Sequence, residues 1–301
     1  MSDDALAYAA KAPRNKAPPG TASMGGGWSA WLAGSGAFAR VDGSASNFGF
    51  GYRTSSVSGG MEKRDGVWLY GGAFAVSHAG VTQNATGDNA TIDTVRLGVY
   101  SAYQPGPFTV TGALAYGNHA VDANRLTLLP TLGTQTGYHA NSLDAGLEIS
   151  KTYLTRYATV QPMLGLVYNG LWTNSFAESG GSLLGLIGNS AHVAALKGYA
   201  GARAYRTFIT ANGWEATPEI RGRVLYDVLN DARGFNATFA FDPTATAFTV
   251  AGLQPNRTAA LLGAGLTVRV APRWRAFANY DAELRGSDVT QIVNGGVRVN
   301  W

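Results

Sequence analysis

The stretch Val289-Thr290-Gln291-Ile292-Val293-Asn294-Gly295-Gly296-Val297-Arg298-Val299-Asn300-Trp301 decides the fold. Val289, Val293, Val297, Val299 and Trp301 share one parity; Thr290, Asn294, Arg298 and Asn300 share the other. Successive side chains of a strand point to opposite faces, so this strand has an apolar face and a polar face that carries a charge. A soluble sandwich strand alternates in the same way, but a final exposed Trp with no polar tail suits it poorly. A transmembrane β-barrel strand accommodates both features, with apolar side chains toward lipid, polar ones toward the lumen, and an aromatic at the membrane boundary.

The same period of two runs through the chain from Trp28 onward. Twelve segments carry it: 27–40, 50–63, 67–82, 92–104, 107–121, 140–153, 157–174, 193–208, 214–229, 257–270, 274–285 and 289–301. Each is long enough for the about 9–11 tilted residues of a membrane strand. Five connections are very tight: Arg64-Asp65-Gly66, Pro105-Gly106-Pro107, Leu154-Thr155-Arg156, Ile209 to Gly213, and Ala271-Pro272-Arg273. They alternate with longer ones, among them 122–139, 175–192 and 230–256. Short turns on the periplasmic side and longer loops outside are the rule for outer-membrane barrels, whereas a sandwich has no reason to sort loop length by side. Pro162 and Pro218 fall inside two segments and weaken them as central strands. Segment 50–63 is poorly patterned.

Parity also sorts the charges. Arg96, Asp144, Glu148, Lys197, Arg203, Glu215, Glu219, Arg221, Arg223, Asp227, Arg269, Arg275, Asp281, Glu283 and Arg298 all fall on the face predicted to line the pore. Both signs are present in similar number. The plain reading is a hydrated wall laced with cross-strand ion pairs; the functional one is a polar conduit that offers a sliding polypeptide no sticky apolar surface. A selective porin more often shows a one-signed ring.

Aromatics gather beside the tight turns: Trp68 after the first, Phe108 after the second, Tyr153 and Tyr157 around the third, Phe208 and Trp214 around the fourth, Trp274 after the fifth. Trp28 and Trp301 join them at the two ends of the barrel. Such a set reads as one girdle at the periplasmic interface, since amphipathic rings prefer the headgroup level.

The 301 residues include 40 Gly, and only 14% are charged. No run of about 18 apolar residues exists, so no helix is a candidate to cross a membrane. Cys is absent, which removes disulfides and thiolate metal sites and suits a chain that crosses an oxidising periplasm unfolded. The net charge of +4 comes without a basic run, which excludes the usual nucleic-acid footprint. Residues 1–25 lack the apolar core of a signal peptide; Met1 is expected to be an engineered start or a cut made after the signal was removed. Residues 1–26 read as a short helix, with Ser2 or Asp3 as N-cap and Pro13 as terminator, followed by an extended tether.

Taken together, the chain resembles the translocator domain of type V autotransporters over essentially its whole length. Trp28-Ser29-Ala30-Trp31 with Gly34 and Gly36 is similar to the family's first strand. Residues 257–301 are similar to its last three, with Gly263-Ala264-Gly265-Leu266, Tyr280 and the closing Gly296-Val297-Arg298-Val299-Asn300-Trp301. The resemblance implies an all-β, 12-stranded antiparallel transmembrane β-barrel (27–301) in the outer membrane of a Gram-negative bacterium, monomeric, with loops at the cell surface. It implies an N-terminal helix and tether (1–26) in the lumen, a covalently attached passenger absent from this sequence, and no cofactor. The implied partners are outer-membrane lipids, periplasmic chaperones and the barrel-assembly machinery. That machinery would read Val297, Val299 and Trp301, although an aromatic is more usual than Val299 at its position. Geometry permits the lumenal segment: a helix over residues 3–12 spans about 15 Å at ~1.5 Å per residue. The tether reaches roughly 45 Å, and together they cross the ~30 Å hydrocarbon core.

No catalytic constellation stands out. His78, His119, His139 and His192 lie in or near expected outer loops without metal-ligand spacing. Ser77-His78 is a bare adjacency, so an outer-membrane phospholipase is the weaker alternative, behind a free-standing channel or adhesin barrel plugged by residues 1–26. Asn15 and inward acids are available for self-cleavage of a passenger, but no cleavage motif is present. Asn84, Asn89 and Asn236, each followed by Ala-Thr, read as polar loop sequence rather than glycosylation sites.

Overall fold

The computed structural model describes residues 27–43, 47–126, 133–180, 184–231, 233–286 and 288–301. The helix and tether expected over residues 1–26 lie outside them.

Twelve long strands follow one another around a closed barrel. They are β1 (Trp28–Val41), β2 (Phe50–Asp65), β3 (Trp68–Gln83), β4 (Asn89–Tyr103), β5 (Phe108–Arg125) and β6 (Thr134–Lys151). Then come β7 (Thr159–Thr173), β8 (Ala191–Tyr205), β9 (Glu215–Asn230), β10 (Thr258–Arg269), β11 (Trp274–Arg285) and β12 (Asp288–Asn300). Every neighbouring pair is antiparallel, and β12 returns to β1 in a ladder from Ser29–Asn300 to Arg40–Val289. Closure leaves no long edge with unpaired N–H and C=O groups.

The strands outrun the alternation that announced them. β6 starts at Thr134, not near residue 140, and β5 continues to Arg125. Beyond the membrane both faces of a strand can be polar, so pairing persists where the hydrophobic period has ended. Gly66 and Gly106 adopt φ of 55° and 62° in two of the tight turns, a left-handed conformation that glycine enters without a Cβ clash.

Both prolines sit where a missing donor matters least. Pro162 lies just past the Ser150–Met163 pair that ends the β6–β7 ladder. Pro218 lies one residue past the Tyr205–Glu219 pair at the end of the β8–β9 ladder. β2, poorly patterned in sequence, turns small or polar residues inward (Thr54, Ser56, Ser58, Gly60) and Val57 and Met61 outward. A register shift between Leu196 and Lys197 leaves Val228 outside the β8–β9 pairing and sets Lys197 opposite Asp227.

The interior is polar. Among the described residues the largest fully buried side chains are His119, Gln161, Thr134 and Asp227. The apolar surface is outside: Leu32, Phe74, Val95, Leu97, Leu164, Ile220 and Leu262 are each half or more exposed around the circumference. A contiguous apolar exterior on this scale requires lipid or detergent.

The long connections build a second small sheet of four strands, Phe176–Ala177, Leu186–Gly188, Gly234–Phe239 and Phe248–Ala251. It borders a cavity of about 600 Å³ at the long-loop end.

The seam register makes a direct test. Ser35 and Asn294 are cross-strand partners, and this chain has no native Cys. Ser35→Cys with Asn294→Cys should form a disulfide on oxidation, because paired Cα atoms lie within bridging reach. Ser35→Cys with Arg298→Cys, four positions out of register, should not. Equal cross-linking of both pairs, read by mass spectrometry, would contradict the closure.

Candidate functional site: the barrel lumen

The inner wall is a chain of hydrogen-bonded charges. At the seam, Glu62 of β2 accepts from Ser29 Oγ at 2.9 Å, from Tyr100 OH at 2.8 Å, and pairs with Arg298 at 2.8 Å. Trp31 Nε1 donates to Tyr100 OH at 3.0 Å. One carboxylate therefore joins β1, β2, β4 and β12. Tyr100 fits because it lies over Gly71, where a Cβ would collide with its ring and hydroxyl.

Farther round, Arg96 meets Asp144 at 3.3 Å, and Asn169 donates to Asp144 at 2.6 Å. Glu148 accepts from Tyr199 OH at 2.8 Å and lies 3.6 Å from Arg223; Gly165 clears the space for Tyr199. Arg203 donates to Gln161 at 2.6 Å and lies 3.6 Å from Glu219, which holds Arg221 at 3.0 Å. Arg221 in turn grips both oxygens of Asp281 at 2.8 and 2.7 Å, a bidentate fork. Nearer the short turns Arg269 pairs with Glu215, and Arg275 faces the same mouth beside Arg298, Arg269 and Arg64. At the opposite mouth Arg285 bonds Asp227 at 2.8 Å and Glu283 at 3.2 Å.

All fifteen charged residues singled out by parity thus have burial or partners on the inner wall. Glu62 and Arg285 were not among them. Glu62 sits in the strand with the weakest pattern, and Arg285 at the last residue of β11. Trp31, Tyr100 and Tyr199 also face inward. Trp31 is three residues from the outward Trp28, so parity alone places it on the other side.

The girdle residues Trp28, Trp68, Phe108, Tyr153, Tyr157, Phe208, Trp214, Trp274 and Trp301 are all exposed at the short-turn end. A second outward set, Phe38, Tyr116, Trp172, Tyr226 and Tyr280, lies toward the long loops. Phe38 lies ten positions after Trp28 in β1. That is roughly 25 Å along the axis at about 3.3 Å rise and 40° tilt. Val297 and Val299 of β12 face outward, and the exposed Trp301 follows the last residue of the strand.

The histidines are strand residues rather than loop residues. His119 in β5 is fully buried between Thr94 Oγ1 at 2.8 Å and Ser142 Oγ at 2.9 Å. His78 faces outward and bonds Asp93 at 2.7 Å, while Ser77 takes the opposite parity. His139 is exposed on β6, and His192 stacks on Trp172 with ring centroids 4.7 Å apart.

At the long-loop mouth the lumen turns apolar: Ile92, Val121 and Tyr138 meet Phe176 and Phe235 of the small sheet. The Tyr138 and Phe176 rings stack at 5.4 Å, and Phe176 meets Phe235 edge-on at 5.4 Å. Arg125 holds Glu178 with bonds of 2.9 and 2.5 Å and also reaches the Leu184 carbonyl at 2.8 Å. In the neighbouring loop the Asp242 carboxylate accepts from the Thr244 hydroxyl and the Thr244 and Thr246 amides, which hold its pKa down at about 2.

A closed twelve-stranded barrel, apolar outside and charge-compensated within, is a transmembrane β-barrel of the outer-membrane type. The autotransporter β-domain family model matches residues 30–281. No curated protein matches the chain. Among solved structures, the translocator domain of autotransporter NalP from Neisseria meningitidis superposes with a TM-score of 0.75 at 17% identity, over 91% of this chain and 88% of that one. The β-domain of the Bordetella autotransporter BrkA gives 0.66 at 15% identity, over 90% and 98%. The transport unit of AIDA-I from Escherichia coli gives 0.55 at 13%, over 90% of each chain. The chain belongs to the autotransporter β-domain family: it is an outer-membrane translocator that exports a passenger domain.

The seam cluster is expected to hold the barrel shut. Glu62→Ala removes the acceptor shared by Ser29, Tyr100 and Arg298. It should destabilise the folded barrel by about 2–4 kcal/mol, read as a lower midpoint of the heat-induced gel shift. Glu62→Gln, which keeps an acceptor oxygen, should cost less. Equal midpoints for wild type and Glu62→Ala would show that the cluster does not hold the seam.

Proposed function

We propose that the passenger travels as an extended chain along the charged inner wall, from a periplasmic short-turn end to a cell-surface loop end. The carrying observation is that acids and bases are interleaved around the wall, as in the run Gln161, Arg203, Glu219, Arg221 and Asp281. Along that run a polypeptide in transit meets polar groups already bonded to one another, so no particular sequence is retained there by an unpaired charge. The barrel acts as a monomer, is escorted by periplasmic chaperones, and is assembled by machinery that reads the outward set Val297, Val299 and Trp301.

Expressed in a Gram-negative host behind a signal peptide and a reporter, the chain should display that reporter to protease on intact cells. Thr244→Cys should then react with a membrane-impermeant maleimide on intact cells, and Thr155→Cys only after permeabilisation. A folded, heat-modifiable barrel whose reporter stays inside would sink the proposal.

Export needs no catalytic residue in this scheme. The opposite facing of Ser77 and His78 keeps a nucleophile–base contact from forming between those neighbours. The folded barrel is accordingly expected to release no fatty acid from phospholipid vesicles; measurable release would contradict this.

A further inference from the structure

The short-turn rim carries a charge pattern that export does not use. Four girdle aromatics or aromatic pairs each hold a cation. Lys63 Nζ lies 5.9 Å from the Trp28 ring, and Lys151 Nζ lies 5.1 Å from Phe108 and 4.9 Å from Tyr153. The guanidiniums of Arg156 and Arg206 sit 4.2 Å from Tyr157 and 5.4 Å from Phe208. Arg273 stands exposed in the last turn beside Trp274. Across the five short turns Asp65 is the single acidic residue. The opposite end shows no such bias: the outward Arg40 and Arg53 are accompanied by Asp93 and Asp122, and Asp93 is bonded to His78.

We propose that this rim is a binding belt for anionic phospholipid headgroups of the leaflet at the short-turn end. The inference rests on the outer-membrane reading of the barrel. Each ring places its cation at headgroup depth, since aromatic girdles settle at the membrane interface. A cation drawn to a ring face still has N–H groups to offer a phosphate oxygen, although Arg206 spends one on the Tyr157 carbonyl at 3.1 Å. The spacing of the pairs selects lipid over a protein partner. They fall on more than one arc of the circumference: Lys63 with Trp28 at β1 and β2, a group of Lys151, Arg156 and Arg206 running from β6 to the turns before β7 and β9, and Arg273 in the last short turn. One acidic protein surface could engage only an arc of that ring, whereas a leaflet surrounds all of it. The consequence is a barrel whose orientation and seating favour one leaflet by charge as well as by loop length.

The test compares the wild type with a variant that keeps every ring: Lys63→Gln, Lys151→Gln, Arg156→Gln, Arg206→Gln and Arg273→Gln together. Both are folded into vesicles of phosphatidylethanolamine with a minor fraction of phosphatidylglycerol, extracted gently, and weighed with bound lipid by native mass spectrometry. The wild type should retain phosphatidylglycerol enriched about fivefold or more over the vesicle composition, the factor that one basic residue near an anionic leaflet supplies. The variant should retain it in proportion to the mixture. Equal enrichment in both, or none in either, overturns the proposal. If the variant does not fold, the wild type decides alone: enrichment should collapse as salt shortens the Debye length to about 3 Å at 1 M, and salt-insensitive enrichment overturns it. Heat-modifiable migration of the wild type is scored separately, and its loss would count against the barrel reading itself.

Discussion

In lipid, every backbone N–H and C=O must find its partner within the protein. The β1–β12 seam is where this chain meets that demand. A sheet of eleven ladders would leave two long edges in hydrocarbon; the twelfth ladder, from Ser29–Asn300 to Arg40–Val289, removes both. The direction of the apolar side chains, the sorting of turns and loops, and the existence of a lumen all depend on that closure. The Glu62 cluster adds side-chain bonds across the same seam, tying both strands that meet there to β2 and β4.

Closure creates a second requirement. Side chains on the inner parity are withdrawn from bulk water without a hydrocarbon core to receive them. This wall answers with paired charges, and large inward groups are seated over glycine, as Tyr100 over Gly71 and Tyr199 over Gly165. The abundance of glycine, which in a soluble sandwich strand would be a weakness, here makes room for lumenal rings. Toward the long loops the solution changes: Tyr138, Phe176 and Phe235 form an apolar contact that docks the small sheet against the barrel wall.

Strand alternation was legible wherever one face met lipid, because only there does the medium force a strict apolar parity. It faded at the long-loop ends of β5 and β6, where water lies on both sides and the ladder continues without a hydrophobic signature. Glu62 was hidden for a different reason: in β2 serines and glycines fall on both faces, so neither face declares itself. Parity alone located Arg96, Asp144, Arg221 and Arg298 on one face of their strands, but gave no means of saying which would touch. The second aromatic belt, Phe38 to Tyr280, escaped notice because no short turn marks its level.

From the linear chain came the strand count, the lipid-facing parity, the short-turn girdle and the polar character of the inner wall, since each is a local consequence of period two in a two-solvent environment. Tertiary structure alone decided which carboxylate meets which guanidinium, because those pairs join residues up to 236 positions apart, as Glu62 and Arg298 are. It also decided the four-stranded sheet of loop segments and the cation-over-ring contacts of the rim, which depend on how the turns pack in space. Ladder register fixes such meetings, and register belongs to the closed barrel as a whole rather than to any one strand.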